Sequence, residues 1–144
     1  ISPATKLVYI CNPNNPTGTI CERASLEKFI AAVPSKTIIL VDEAYLEFTQ
    51  QQSIIPLIND YPNLVVAKTF SKIYGLAGAR IGYAVAHTAM IKQLANLQSS
   101  ANMSVSILSK LAAIASLKDD KFVSACYGLN ENAKKYTIDE LQKL

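Results

Sequence analysis

The stretch that decides the reading is Lys68–Tyr83, KTFSKIYGLAGARIGY. It puts Thr69, Ser71 and Lys72 on one short turn, continues with a glycine-spaced segment, and sets Arg80 eight residues beyond the lysine. Two small hydroxyls and a guanidinium are donors suited to a phosphate monoester. Such a group carries about −1.5 to −2 charges at pH 7, and arginine's fork of donors matches its oxygens. A lysine beside an anion pocket adds a second possibility, condensation of its amine with an aldehyde on a phosphorylated cofactor. The same letters also fit a plain strand-to-helix connection with a solvated lysine, so the turn by itself leaves both readings open.

Working outward, Asn63–Lys68 (NLVVAK) enters the turn as an apolar, β-branched run and Ile81–Ala86 (IGYAVA) leaves it as another. The connection of about a dozen residues is filled by the glycine loop and leaves no room for a crossover helix, so the second run is expected to be antiparallel to the first. Upstream, Thr37–Val41 (TIILV) is apolar throughout, as parallel strands covered on both faces are. Lys6–Cys11 (KLVYIC) is similar and stops at NPNNPTGT (12–19), whose prolines and glycine forbid helix and ladder. Between these runs, Glu22–Val33 repeats apolar residues at Leu26, Phe29, Ile30 and Val33 with helical spacing, and Pro34 closes it. A short helix is expected near Pro56–Asp60.

Downstream the pattern is helical. One helix is expected over Thr88–Leu97. A second, Ser104–Leu117, has apolar Val105, Leu108, Leu111, Ala112 and Ala115 and Ser104 as candidate N-cap. A third, capped by Asp119 or Asp120, runs towards Leu144 with a weak point near Gly128. Strand, helix and strand in alternation predict an α/β fold: a mainly parallel sheet of about four strands, the last antiparallel, with helices on both faces and a helical C-terminal part.

Composition narrows the class. Half of the 144 residues are apolar and 17% are charged, which suits a packed core and neither a disordered tail nor a membrane protein. A net charge of +3 without a basic run gives no face for nucleic acid. Cys11, Cys21 and Cys126 form no C-x-x-C pair and neighbour no histidine, so reduced thiols in the cytosol are expected rather than disulfides or a metal site. His87 is the single histidine and reads as a strand-end residue. The chain opens without methionine and enters a strand almost at once, and it is expected to be an excised piece.

Ligands in open α/β sheets sit beyond the carboxyl ends of parallel strands. The three parallel runs end at Asn12–Thr17, at Asp42–Tyr45 and at Thr69–Lys72, so all three should open on one crevice. Asp42 could keep a pyridine nitrogen protonated, while Tyr45 and Asn15 could donate to a phenolic oxygen. Each also has a plainer reading: a turn cap, a packing tyrosine and a turn former.

Taken together, NPNNPTG, VDEAY and TFSKIYGLAGARIGY resemble the large domain of the class I and II aminotransferases, the fold type I pyridoxal phosphate enzymes, and within them most of all the histidinol-phosphate aminotransferases. The resemblance spans about half the chain. It implies Lys72 as the Schiff-base lysine and proton shuttle, Asp42 as partner of the pyridine nitrogen, and Asn15 and Tyr45 as donors to the phenolic oxygen. It implies Thr69, Ser71 and Arg80 as phosphate ligands, pyridoxal 5'-phosphate as cofactor, and a cis peptide at Asn15–Pro16. Glu43 and Tyr74 are left as structural.

On the same resemblance, residues 1–97 are part of the cofactor-binding large domain and 98–144 lead towards a small domain. An amino donor and a keto or phosphorylated keto substrate are the expected small-molecule partners, in a cytoplasmic homodimer. The aromatic residue that stacks on the ring and the substrate-binding arginine belong to segments outside this stretch, so the piece alone is expected not to transaminate, and its open Leu7–Cys11 edge to invite association. An aromatic amino-acid aminotransferase or a threonine-phosphate decarboxylase would keep nearly all these motifs. A non-catalytic ligand-binding α/β module is a reading of another class, disfavoured because neither G-x-G-x-x-G nor a Walker loop is present. An inert structural domain is a third.

Overall fold

β-branched runs become strands where the sequence places them. In the computed structural model, which describes residues 1–100 and 104–144, β1 (Leu7–Cys11), β2 (Ile38–Asp42) and β3 (Leu64–Thr69) pair in parallel, and β4 (Gly82–Ala86) pairs antiparallel with β3. Sheet order is β1-β2-β3-β4, which leaves β1 at an edge. The register sets Cys11 beside Asp42 and Asp42 beside Ala67, so the carboxyl ends of the parallel strands stop in one row.

One face of that sheet is covered by α1 (Arg23–Ala32). Leu26, Ile30 and Val33 pack on Ile39, Val41, Leu64 and Val66, with Ile54 closing the cluster. Each fully buried aliphatic side chain contributes roughly 1.5–3 kcal/mol. Phe29, expected in this stripe, lies at its flank and is 38% exposed. The helix ends because Val33 precedes Pro34 and is forced to extended geometry (φ −77°, ψ 130°).

The β2-to-β3 connection contains no α-helix, only 3-10 turns at Leu46–Phe48 and at Ile55–Asn59, the latter where a short helix is expected. Glu43, 2% exposed, ties this connection down: Oε1 accepts from the Ile54 amide at 2.9 Å and Oε2 from the Ser53 hydroxyl at 2.6 Å.

After β4 come α2 (Thr88–Ser100), α3 (Ile107–Ser116) and α4 (Asp120–Leu141). His87 sits at the junction of β4 and α2, where its Nδ1 accepts from the Ala89 amide at 3.4 Å. Two details differ from expectation. The N-cap of α3 is Ser106, not Ser104: Ser106 has the required non-helical backbone (φ −53°, ψ 141°), and its hydroxyl accepts from the Leu108 amide. In addition, α4 runs unbroken through Gly128, since a single glycine costs about 1 kcal/mol in a helix and a helix of 22 residues absorbs that. Asp119 caps α4, accepting from the Phe122 amide at 3.0 Å. Among the described residues no helix is long and apolar enough to cross a membrane.

Candidate active site

Where the parallel strands stop, their loops enclose a cavity of about 490 Å³, lined by Tyr9, Cys11, Asn15, Asp42, Ala44, Tyr45, Ala67, Lys68, Thr69, Ser71, Lys72 and Arg80. All seven residues singled out from sequence lie on it. Its size is that of a small-molecule site, and strand alternation puts Tyr9, Cys11, Asp42, Ala67 and Thr69 on the sheet face opposite the α1 cluster.

The loop after β1 is held by Asn12. This buried residue donates from Nδ2 to the Cys21 carbonyl at 3.0 Å and accepts the Cys21 amide on Oδ1 at 2.8 Å, closing the loop on itself. Within it Asn15–Pro16 is cis, as the resemblance implies, and so is Asn12–Pro13. Gly18 takes the left-handed conformation (φ 69°), and its amide returns to the Asn14 carbonyl at 2.8 Å. The result carries Asn15 across to the next loop, where its Nδ2 donates to the Tyr45 hydroxyl at 2.7 Å.

Asp42, last residue of β2, has both carboxylate oxygens engaged. Oδ1 accepts from the Ala44 amide at 3.0 Å and Oδ2 from the Tyr9 hydroxyl at 2.9 Å. That hydrogen bond, then burial and the carboxylate's charge, hold the Tyr9 phenol well above its ordinary value. Sequence reasoning passed over Tyr9 because nothing local marks it; only the β1–β2 register brings the two side chains together.

The turn after β3 begins with the Thr69 hydroxyl accepting the Ser71 amide at 3.0 Å. Buried Phe70 and Ile73 anchor it, and the Gly75 amide, at a φ of 69°, returns to the Lys72 carbonyl at 2.9 Å. Lys72 is thereby left exposed, with Nζ 5.0 Å from the centroid of the Tyr45 ring. Arg80 closes the segment in the left-handed region (φ 50°, ψ 51°), which for a non-glycine residue costs on the order of 1–3 kcal/mol and is characteristic of ligand sites. Its Nη1 donates to the Ala77 carbonyl at 3.0 Å, and the neighbouring Ala79 carbonyl accepts from the Ser109 hydroxyl of α3 at 2.7 Å.

Two lysines border the cavity, and they differ in what their amines can do. Lys68 has a side chain only 9% exposed, and its Nζ lies 2.6 Å from Glu47 and 3.3 Å from Glu43. Burial pulls that amine down, but the hydrogen bond and charge of Glu47, with Glu43, outweigh it and leave Lys68 above the ordinary lysine range. An amine so paired stays protonated and is no nucleophile. Among the described residues Lys72 forms no ion pair, so it is the amine open to chemistry. The donor set fits a phosphorylated aromatic aldehyde: one free amine for the carbonyl, one carboxylate for a ring nitrogen, two donors for a ring oxygen, and hydroxyls with a guanidinium for phosphate.

Comparison with known proteins agrees with this geometry. The profile of the class I and II aminotransferases matches residues 1–142. The histidinol-phosphate aminotransferase of Brevibacillus brevis is 39% identical over 146 residues, covering 99% of this chain and 40% of the relative. The crystal structure of histidinol-phosphate aminotransferase from Sinorhizobium meliloti in complex with pyridoxal-5'-phosphate superposes with a TM-score of 0.81 at 34% identity, covering 90% of this chain and 35% of that one. L-threonine-O-3-phosphate decarboxylase from Porphyromonas gingivalis superposes at 0.76 and 26% identity, covering 96% of this chain and 42% of that one. The chain thus spans about 40% of the length of the curated relatives it matches. Because the profile extends over nearly every residue, this chain belongs to the class I and II aminotransferase family.

Proposed function

We propose that this chain is the cofactor-holding part of a pyridoxal phosphate-dependent histidinol-phosphate aminotransferase. The proposed reaction passes the amino group of glutamate to imidazole acetol phosphate, giving histidinol phosphate and 2-oxoglutarate. The supporting observation is the convergence on one cavity of Asp42, Asn15, Tyr45, Thr69, Ser71 and Arg80 around the unpaired amine of Lys72.

When bound, pyridoxal phosphate supplies an aldehyde that condenses with amines and a protonated ring that draws off the electron pair left on the substrate's α-carbon. Lys72 Nζ would be the amine that holds the aldehyde and, once freed, the group that takes up and returns the proton of the substrate's α-carbon. The Asp42 carboxylate would partner the ring N–H. Asn15 Nδ2 and the Tyr45 hydroxyl, already joined at 2.7 Å, would orient the ring through its phenolic oxygen. The Thr69 and Ser71 hydroxyls and the Arg80 guanidinium would hold the phosphate, arginine by paired donors.

Histidinol phosphate is favoured over phosphothreonine as substrate because curated relatives at 36–44% identity carry the histidinol-phosphate aminotransferase name. The proposal includes a cytoplasmic homodimer. It also divides the chain into residues 1–97, within the cofactor-binding domain, and 98–144, leading towards a substrate-holding domain; residues 101–103 of that second segment lie outside the described ones.

The test is borohydride reduction of the intact protein with pyridoxal phosphate, followed by peptide mapping. The expected result is a pyridoxyl adduct on Lys72. An adduct on Lys68, or dinucleotide binding with no adduct at all, overturns the reading. With cofactor in place, amino transfer from histidinol phosphate to 2-oxoglutarate is expected; preferential turnover of an aromatic amino acid, or carbon dioxide release from phosphothreonine, would transfer the chain to another member of the family.

A further inference from the structure

We propose that Tyr9 is a positioning residue for Asp42, fixing its carboxylate to receive the ring nitrogen of the cofactor through the hydrogen bond from the Tyr9 hydroxyl to Oδ2 at 2.9 Å. The proposal rests on the function above, and its starting point is the β1–β2 register. Tyr9 stands opposite Leu40 and Cys11 opposite Asp42, so Tyr9 and Asp42 are diagonal neighbours on the same sheet face.

A carboxylate on a single bond turns easily, because the terminal torsion of aspartate is broad. Here it is held at both ends. The Ala44 amide binds Oδ1 at 3.0 Å and Tyr9 binds Oδ2, and together they set the plane of the group. Two bonds do not exhaust it: an ionised carboxylate offers about four acceptor positions, so a third donor, the protonated ring nitrogen, can still be received. A side chain that had to compete with the ring would do harm, whereas one that grips the carboxylate from the strand beside it orients without displacing.

Two further observations support a local role. The Tyr9 phenol is pushed up chiefly by its bond to Asp42, with the carboxylate's charge adding to it, so it keeps its proton and donates throughout the neutral range. Tyr9 is also 55% exposed on an edge strand. It gives the core little burial, and its hydroxyl acts on its cavity-side neighbours, Asp42 first and Cys11 beside it.

The test uses the intact protein, freed of cofactor, as wild type and as Tyr9→Phe. Each is titrated with pyridoxal phosphate and with its 1-deaza analogue, in which a C–H replaces the ring nitrogen, following the absorbance or fluorescence change on binding. A hydrogen bond to a charged group sets the expected scale: Y9F should bind pyridoxal phosphate roughly ten-fold more weakly. It should bind the deaza analogue as tightly as wild type does. In a background of Asp42→Asn, adding Y9F should cost nothing more. Equal loss with both cofactors, or no loss with either, overturns the proposal, as does a full Y9F penalty persisting in D42N. Failure of the proposed function would show separately, as no adduct on Lys72 of the wild type under borohydride.

Discussion

Asn15 and Tyr45, thirty positions apart, are joined by a hydrogen bond of 2.7 Å from the amide Nδ2 to the phenol oxygen. The bond spans the loops that follow β1 and β2, and both residues line the cavity that Asp42 also lines. Neither residue is placed by its own element. Asn15 is carried there by a loop locked on Asn12, and Tyr45 by a turn whose neighbour Glu43 is buried and three times bonded.

If both groups aim at one ring oxygen, Asn15→Ala should remove one donor and leave the tyrosine freer to turn. Loss of one hydrogen bond corresponds to about 0.5–1.5 kcal/mol, so cofactor affinity should fall by a factor of roughly 2–13 on RT of about 0.6 kcal/mol, with little change in folding stability. Titration of the cofactor-free protein measures the first, and urea unfolding without cofactor the second. An unfolding midpoint lowered as strongly as the affinity would show that Asn15 serves the fold instead.

Lys68, Glu43 and Glu47 make a prediction about stability. Removing the lysine by Lys68→Met leaves two carboxylates, 3% and 17% exposed, without their cation. Breaking a buried pair from one side costs about 3–5 kcal/mol, and denaturant unfolding of K68M at neutral pH should show a loss of that order. A loss below about 1 kcal/mol, the value of an exposed pair, would mean that water reaches the site.

The sign of the pH effect follows from the same group. Lys68 is held above its ordinary value by Glu47 and Glu43 against burial, so the folded protein binds its proton more tightly than the unfolded chain. That contribution is fully present below the ordinary lysine value of about 10.4 and is lost as pH rises through the raised one. Tyr9, pushed up by Asp42, and Tyr74 and Tyr83, pushed up chiefly by burial, act in the same direction. Stability should therefore fall with rising pH above about 10, measured by urea unfolding across that range. A stability that stayed level or rose there would contradict the raised lysine and tyrosines.

Much of this was legible in the sequence, for reasons that differ between elements. The strands announce themselves as β-branched runs bounded by turn residues. The antiparallel β4 followed from a connection too short to cross over, and the common crevice from three loops that each begin where a parallel strand ends. What escaped is what depends on register or on competition between near-equivalent residues. Tyr9 meets Asp42 only because β1 and β2 align as they do. Lys68 reads only as the end of an apolar run, and nothing local pairs it with Glu43 and Glu47. Ser104 and Ser106 are equally good caps by type, and backbone geometry alone selects the second. Asn12 looks like one more turn former in a loop of asparagines, yet it is the buried one that holds the loop shut.

Glycine spacing in the deciding stretch yields the last prediction. A Cβ on Gly82 would lie 2.7 Å from the Lys68 backbone carbonyl oxygen, too close for any carbon, and the obstacle is main chain that cannot swing away. Gly82 pairs with Thr69 across β3 and β4, so Gly82→Ala must part the two strands at the residue that begins the turn after β3. Overpacking of this kind costs typically 1–3 kcal/mol. Gly128 is the control: it sits inside α4 with nothing within 4 Å of its would-be Cβ, and alanine there should stabilise by roughly 0.5–1 kcal/mol. Urea unfolding should thus move in opposite directions for the two variants. Cofactor affinity should fall in G82A, because Thr69 and Ser71 shift with the strand, and stay unchanged in G128A. If G82A unfolded at the wild-type midpoint with undiminished affinity, the close approach of β4 to the Lys68 carbonyl would not exist in solution.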